Sequence, residues 1–340
     1  MPRGRYAPSP TGAQHLGNAR TALAAWARAR STGSTFVLRL EDLDRPRTVP
    51  AAVTGNLHEL RWLGLDWDEG PDVGGPHGPY RQSCRDELYA GALARLRAQG
   101  RTFACWLSRK DLRELSSAPH GSTAVYGARE RAASARAEVA KRAQGKEPAI
   151  RLRMPGTTER WDDGVAGRCF VDVASAVGDL VLRRADGAWA YQLAVVVDDA
   201  AMAIEEVVRG DDLLPSAAAQ RALHRLLGGD PPRYAHLPLL HGPGGERLAK
   251  RRGEHTLGAL QHAGVPPDRV VGLLAWSLGQ IERPEPLAAG RLAASFDLGS
   301  VPRHPVLLDD VALGWLHGGA APSGPPAEPG RALDTPGDGR

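Results

Sequence analysis

The first 45 residues confine the fold more tightly than any other part of the chain. A short, partly apolar stretch (GRYAP, from Gly4) runs into the turn-forming cluster PSPTG. The following segment, LGNARTALAAWARARS from Leu16 to Ser31, sets strong helix formers at helical spacing. Next comes TFVLRLEDLD, from Thr35, a β-branched and apolar run ending in acids, as a buried parallel strand does where it meets a loop. Helical patterns follow near Ala51 to Leu63 and from about Arg85 to Gln99. Strand, helix, strand, helix is the order of an α/β fold with a doubly wound, Rossmann-type parallel sheet.

Beyond Gly100 the pattern changes. Tyr126 to Gly145 is rich in Ala, Arg, Glu and Lys and reads as helix. The runs IRLRMPG, RCFVDVA and DLVLRRADGAWAYQLAVVVDDA read as antiparallel strands with turns such as Asp186-Gly187. This stretch is expected to be an α+β insertion between two halves of a nucleotide-binding fold. AMAIEEVVRGDDLLPS then returns to a strand and loop, and AAAQRALHRLLG to a helix; after LPLLHGPGGERLAKRRGEHT the chain reads as helical to about Leu316. From Gly318 the sequence is rich in Pro and Gly with almost no large apolar residue, the composition of a disordered tail. The expected units are 1–100 and 191–245 for the two halves of the catalytic domain, 101–190 for the insertion, 246–317 for a helical subdomain and 318–340 for the tail.

A net charge of +4 and a pI near 9.1 are mild, and compatible with a nucleotide or RNA partner. Cys84, Cys105 and Cys169 are widely spaced without a CxxC, which argues against a disulfide framework and for a reducing compartment. No stretch resembles a signal peptide or approaches 18 uninterrupted apolar residues. A soluble, cytoplasmic monomer with no membrane partner is expected.

Three groups of residues carry chemistry. His15-Leu16-Gly17-Asn18 follows a strand and a turn and opens a helix, where free backbone N–H groups and the macrodipole favour anions. A glycine at position 17 lets a nucleotide lie close to the backbone. Taken alone, His15 reads as a helix-terminal histidine without chemistry. Arg247-Leu248-Ala249-Lys250-Arg251 follows a Gly-Pro-Gly-Gly turn. Such runs are commonly solvated basic loops, yet a lysine on a mobile loop can neutralise a triphosphate as a transition state forms. Finally Arg5, Glu41, Tyr191 and Arg209 lie at strand ends, where open α/β sheets bind ligands. Arginine suits carboxylates because its planar fork bonds both oxygens, and Glu41 suits an ammonium. His58, His224 and His236 have no motif context and read as satisfied structural histidines.

RYAPSPTGAQHLGNART and RLAKR resemble the two signatures of class I aminoacyl-tRNA synthetases, specifically of the glutamate-type branch, and the resemblance runs from about Arg3 to Leu316. It implies an ATP-dependent ligase that forms an aminoacyl adenylate with Mg²⁺. His15, Asn18 and Lys250 would stabilise phosphate charge, and Pro8, His15, Gly17, Asn18 and Lys250 would bind ATP. Arg5, Ala7, Ser9, Glu41, Tyr191 and Arg209 would bind L-glutamate. Ala249 replaces the usual serine of the lysine signature. Where full-length members carry an anticodon-binding region, this sequence has only its low-complexity tail. In that respect it resembles the truncated branch that activates glutamate without tRNA and transfers it to queuosine in the anticodon loop of tRNA(Asp). A short enzyme charging tRNA(Glu) and a non-catalytic tRNA-binding paralogue are the alternatives. In the family the insertion often holds zinc on three Cys and a Tyr. Cys105 and Tyr126 stand at matching positions, but Leu107 and Glu130 replace the other two, so no zinc is expected. Cys84 and Cys169 then read as small buried residues.

Overall fold

The computed structural model describes residues 1–115, 125–248 and 255–329. In chain order the first part contains β1 (Arg3–Tyr6), α1 (Leu16–Ser31), β2 (Thr35–Leu38), α2 (Pro50–Trp62) and α3 (Asp86–Ala98). The insertion contributes β3 (Thr102–Cys105), α4 (Arg109–Leu115), α5 (Ala128–Ala143), β4 (Ala149–Leu152), β5 (Thr158–Asp163), β6 (Gly167–Asp172), α6 (Val173–Ala176) and β7 (Leu180–Arg183). The chain then forms α7 (Tyr191–Ala201), β8 (Glu206–Gly210), α8 (Leu214–Leu226), β9 (Arg233–Leu237) and β10 (Leu240–His241). Helices α9 (Leu257–His262), α10 (Pro267–Ser277), α11 (Ala289–Ser295) and α12 (Asp310–Trp315) follow, with β11 (Val306–Leu307) paired to β10.

The central sheet has the order β2-β1-β8-β9 and every pairing in it is parallel. The expected doubly wound core is therefore present, with its halves on either side of the insertion. Successive side chains of a strand point to opposite faces, and the two faces of this sheet differ in kind. On one face Tyr6, Phe36, Leu38, Val208, Ala235 and Leu237 share a core with α1, α10, α11 and α12. Ten of the sixteen residues of α1 are buried there, six of them alanine. Their small size lets the helix lie so near β1 that a Cβ at Gly4 would be 3.6 Å from Ala29 Cβ.

The other face starts apolar, with Val37, Val207 and Tyr234. Two residues further along each strand it becomes polar: Arg39, Arg209 and His236 lie on this face and are buried, as is Arg5 in β1. Helix α7 supplies the counter-charges of Arg5 and Arg39. Arg39 Nη1 donates to Asp199 Oδ1 at 2.7 Å and Nη2 to Glu41 Oε1 at 3.1 Å, while Arg5 Nε reaches Asp199 Oδ1 at 3.3 Å. Asp198 accepts from Arg85 Nε at 2.6 Å, Gln82 Nε2 at 2.7 Å and the Tyr89 hydroxyl at 2.9 Å. Burial alone would push the Asp199 carboxyl up, but Arg5 and Arg39 hold it at about 2.

AYQLAVVVDDA, read above as strand, is thus corrected to helix. Leu193 through Asp199 is buried without a break, and such a run fits a buried helix as well as a buried strand. Packing against α8, β7 and α3 overrides the strand preference of its three valines. The run TERWDD, not read as strand, forms a hairpin with β6, from Thr158↔Asp172 to Asp163↔Gly167. Residues 318–329, assigned by composition to the disordered tail, lie against the helical region. Trp276 Nε1 donates to Gly324 O at 3.0 Å and Leu307 N to Ala327 O at 2.9 Å. The rest of that tail, 330–340, falls outside the described residues. No helix among the described residues is long and apolar enough to cross a membrane.

Arg39 is fully buried against three carboxylates. Arg39→Met removes its charge and strands theirs, so urea unfolding should show a loss of about 3–5 kcal/mol.

Candidate active site

The carboxyl ends of β1, β8 and β9, the loop after β1, the start of α1 and the N-terminus of α7 surround one cavity of about 800 Å³. Its wall includes Arg5, Ala7, Pro8, Ser9, His15, Gly17, Asn18, Glu41, Tyr191 and Arg209. Every site residue singled out from the sequence is therefore in one place, apart from Lys250, which lies outside the described residues. Both flanks of its segment are at the site. Arg247 and Leu248 line the cavity on one side; on the other, Leu16 N donates to His255 O at 3.2 Å and Leu257 N to Gln14 O at 2.8 Å. Before it, Gly242 N donates to Glu246 O at 2.9 Å, closing the Gly-Pro-Gly-Gly turn.

The start of α1 differs from its sequence reading. His15 is the N-cap, and its Nδ1 accepts from Gly17 N at 3.0 Å and Asn18 N at 3.3 Å, while Asn18 Oδ1 accepts from His15 N at 3.4 Å. This is a capping box built from His and Asn. Leu16 N is taken by His255 O and Ala19 N by His15 O, so the first-turn N–H groups are paired and do not form an open anion site. The donors left for an anion are on side chains. With its Nδ1 lone pair used by the cap, neutral His15 carries its proton on Nε2, and Asn18 keeps its amide N–H groups. Burial pushes the His15 pKa down and favours this neutral form. Gly17 serves the cap directly, because a Cβ there would stand 2.9 Å from His15 Cε1.

On the opposite wall, Arg209 is 3% exposed. Its hydrogen-bond partners are neutral: Nε donates to His236 Nε2 at 3.0 Å, Nη1 to Gln220 Oε1 at 2.8 Å and Nη2 to Leu213 O at 3.3 Å. Three of its five N–H groups are occupied and the rest can meet a ligand. Glu41, beside Arg39, has its carboxyl raised by burial despite the nearby arginines, and burial with Glu41 nearby pushes the Tyr191 hydroxyl up to about 12. The wall also carries Arg247, the first residue of RLAKR, and three charged residues not singled out from sequence, Arg20, Arg47 and Asp212. With Arg5 and Arg209 the wall has five arginines against two carboxylates, Glu41 and Asp212, a balance that attracts anions. Arg20 also ties α1 to the rest of the fold, donating to Pro238 O at 2.5 Å and Ser277 O at 2.9 Å.

The insertion offers poor zinc chemistry. Glu130 turns its Oε2 to Gly127 N at 2.8 Å as a helix cap, and Leu107 has no donor for a metal. Cys105 and Tyr126 remain as two ligands where a structural site needs four. No cluster of three or more His, Cys, Asp or Glu able to hold a metal exists among the described residues. Cys84 is exposed and Cys169 half-buried, which corrects the reading of both as buried: Cys84 ends a short turn, and Cys169 is on the core-facing side of a two-stranded hairpin that leaves it partly open. His224 is buried with neither ring nitrogen hydrogen-bonded, contrary to expectation, and burial lowers its pKa. His236 is satisfied as expected, by Arg209 and Asp163.

A parallel sheet with a cavity at its carboxyl ends, an HxGN helix start and the first residues of RLAKR on the cavity wall define a class I aminoacyl-tRNA synthetase core. Residues 2–285 match the family model described as "tRNA synthetases class I (E and Q), catalytic domain", and the chain belongs to that family. It is an ATP-dependent ligase by that membership. It is 50% identical over 321 residues to the "Glutamyl-Q tRNA(Asp) synthetase" of Symbiobacterium thermophilum, covering 94% of this chain and 99% of that protein. The protein of the same name from Nocardia farcinica is 47% identical, over 91% and 94%. A "Glutamate--tRNA ligase" of Heliobacterium modesticaldum is 38% identical, over 93% of this chain and 64% of the ligase. The glutamate-tRNA synthetase structure from Elizabethkingia anophelis superposes with a TM-score of 0.81 at 28% identity, over 93% of this chain and 70% of that one.

The cap separates stability from chemistry at His15. His15→Ala should lose about 1 kcal/mol in urea unfolding, whereas His15→Asn, which keeps an acceptor, should retain most of it. With its folded pKa below 6.5, the histidine's contribution is complete above pH 6.5 and lost as pH falls through the lower folded value. The gap between wild type and His15→Asn should therefore shift in that window and stay flat above it.

Proposed function

We propose that this protein activates L-glutamate with MgATP, without tRNA, and then transfers it to queuosine in the anticodon loop of tRNA(Asp). The observation that carries the reading is the single cavity joining a carboxylate-and-ammonium set (Arg5, Arg209, Tyr191 and Glu41) to the His15–Asn18 donors. Its support from relatives is the 50% and 47% identity to proteins named for glutamyl-Q tRNA(Asp) synthesis, matched over nearly their whole length.

Arg209 brings a buried positive charge whose hydrogen bonds go to an imidazole, an amide and a carbonyl, and a glutamate carboxylate supplies the counter-charge. Glu41 accepts the ammonium, Tyr191 closes the pocket, and Ala7 and Ser9 line it. An oxygen of the α-carboxylate attacks the α-phosphorus of ATP, the P–O bond to the β-phosphate breaks, and pyrophosphate leaves. The His15 Nε2 proton, the Asn18 amide and the Lys250 ammonium stabilise the charge that builds on the phosphate oxygens, with Pro8 and Gly17 against the nucleotide. Mg²⁺ arrives with the triphosphate and is substrate in this scheme. A hydroxyl of the nucleoside then attacks the acyl carbon, AMP leaves with the bonding electrons, and the hydroxyl proton passes to solvent.

Glutamate-dependent ATP–pyrophosphate exchange is expected with no RNA present, and Lys250→Ala should reduce it by about 100-fold or more while its thermal unfolding stays that of the wild type. Exchange that appears only on adding tRNA(Glu) points instead to a short tRNA-charging enzyme. Silence with every tRNA rejects the reading. Purified protein should contain no stoichiometric zinc, and exchange should survive chelation in excess Mg²⁺.

A further inference from the structure

The hairpin of β5 and β6 belongs to the insertion, yet its turn is seated on the central sheet. Gly164 N donates to Tyr234 O at 2.8 Å, and a Cβ at Gly164 would come within 3.1 Å of Ala235 Cβ and 2.7 Å of Leu298 Cδ2. Asp163, the last residue of β5, is 5% exposed, and its carboxylate is directed at one residue of β9. Oδ2 meets His236 Nδ1 at 2.5 Å and Oδ1 accepts His236 N at 2.9 Å; Oδ1 also takes Val165 N at 3.1 Å and Ala166 N at 3.0 Å. His236 is 1% exposed, stacks on Tyr234 with ring centroids 5.7 Å apart, and stands in register with Arg209 of β8.

These contacts fix the imidazole completely. A carboxylate has no proton to give, so Nδ1 carries the hydrogen; Nε2 then offers its lone pair, and Arg209 Nε donates to it at 3.0 Å. A doubly protonated ring would set N–H against N–H at that point, and burial keeps the ring neutral by lowering its pKa. The rest of the guanidinium is held from α8, where Gln220 accepts Nη1 and is itself fixed by donating to Gln192 Oε1 at 2.8 Å, the residue after Tyr191.

We propose that Asp163 and His236 are positioning residues that set the orientation of the Arg209 guanidinium, so that the inserted hairpin determines how well the pocket binds the glutamate carboxylate. This rests on the reading of the cavity as a glutamate site. It gives the insertion a part in amino-acid selection as well as any part in RNA binding. Asp163 acts through the ring: its charge is one imidazole away from Arg209, and the guanidinium N–H groups not taken by His236, Gln220 and Leu213 are left for the ligand.

The test is RNA-free ATP–pyrophosphate exchange together with calorimetric titration of glutamate, on the full chain. His236→Asn keeps a donor near Asp163 but removes the acceptor facing Arg209, whereas His236→Gln can place an oxygen near the Nε2 position. KM and Kd for glutamate should rise about tenfold in His236→Asn, the loss of one hydrogen bond to a charged group, while KM for ATP and kcat hold. His236→Gln should stay within about threefold of the wild type, and Asp163→Asn should fall between the two. A merely structural role would move ATP and glutamate constants together, in step with thermal unfolding, and that result overturns the assignment. So does an unchanged glutamate constant in both His236→Asn and Asp163→Asn with exchange intact. If the wild type itself neither binds glutamate nor exchanges with any tRNA added, the functional reading fails and this assignment falls with it; that outcome is recognised without any variant.

Discussion

The buried pairing of Arg39 with Asp199 and Glu41 organises the rest of the structure. Parallel sheets of this kind are ordinarily apolar on both faces, and here one face gives way to charge at the carboxyl ends of the strands. Arg39 lies between β2 and α7, so the helix can only pack where its two aspartates meet the arginines. Three guanidinium groups, Arg5, Arg39 and Arg85, face three carboxylates, Glu41, Asp198 and Asp199. The cluster is charge-balanced by itself, which offsets the desolvation of ions this deep. It also fixes α7, whose first residue is Tyr191 and whose second, Gln192, braces Gln220.

A second consequence concerns the two walls of the cavity. On the α1 side the helix start is closed on itself: cap, capping partner and first-turn N–H groups satisfy one another. Its polar reach into the cavity is by side chain, with a proton whose place is fixed by the cap. That explains why His, Gly and Asn occur at this spacing. The histidine must bend back to reach N2 and N3, the glycine leaves room for the ring, and the asparagine completes the box from N3. A stable helix start and a positioned donor come from the same three residues.

Much of this was legible in the sequence, for identifiable reasons. The core was readable because β1, α1 and β2 carry local signals that agree with the final packing: short apolar strand runs, a turn cluster and an alanine-rich helix. The residues lining the cavity were readable because strand ends and signature strings mark them. What was not readable depends on contacts remote in sequence. AVVVDDA is helical where it packs on α3, β7 and α8, with its second acid held by Arg5 and Arg39, more than 150 residues earlier. The signal was present in FVLRLEDLD and AVVVDDA, where charges interrupt apolar runs, but nothing local says that they pair. Arg47 and Arg20 resembled any surface arginine, and the buried alternation of Glu159, Trp161 and Asp163 in TERWDD was hidden by its polarity.

The two arginines of the pocket are therefore not equivalent. Arg5 has a carboxylate partner in Asp199, and a ligand meets it as part of a neutral assembly. Arg209 is held by an imidazole, an amide and a carbonyl, partners that orient without neutralising. A ligand carboxylate placed against Arg209 gains a charge interaction in a buried setting, where Coulomb energy is least screened. A neutral amide in its place gains only a hydrogen bond. On the proposed reading of the pocket, discrimination between an acidic side chain and its amide would follow from what Arg209 lacks, with the neutral tautomer of His236 holding the guanidinium without neutralising it. Had Asp163 reached Arg209 directly, the same fold would present a neutralised wall and lose that preference.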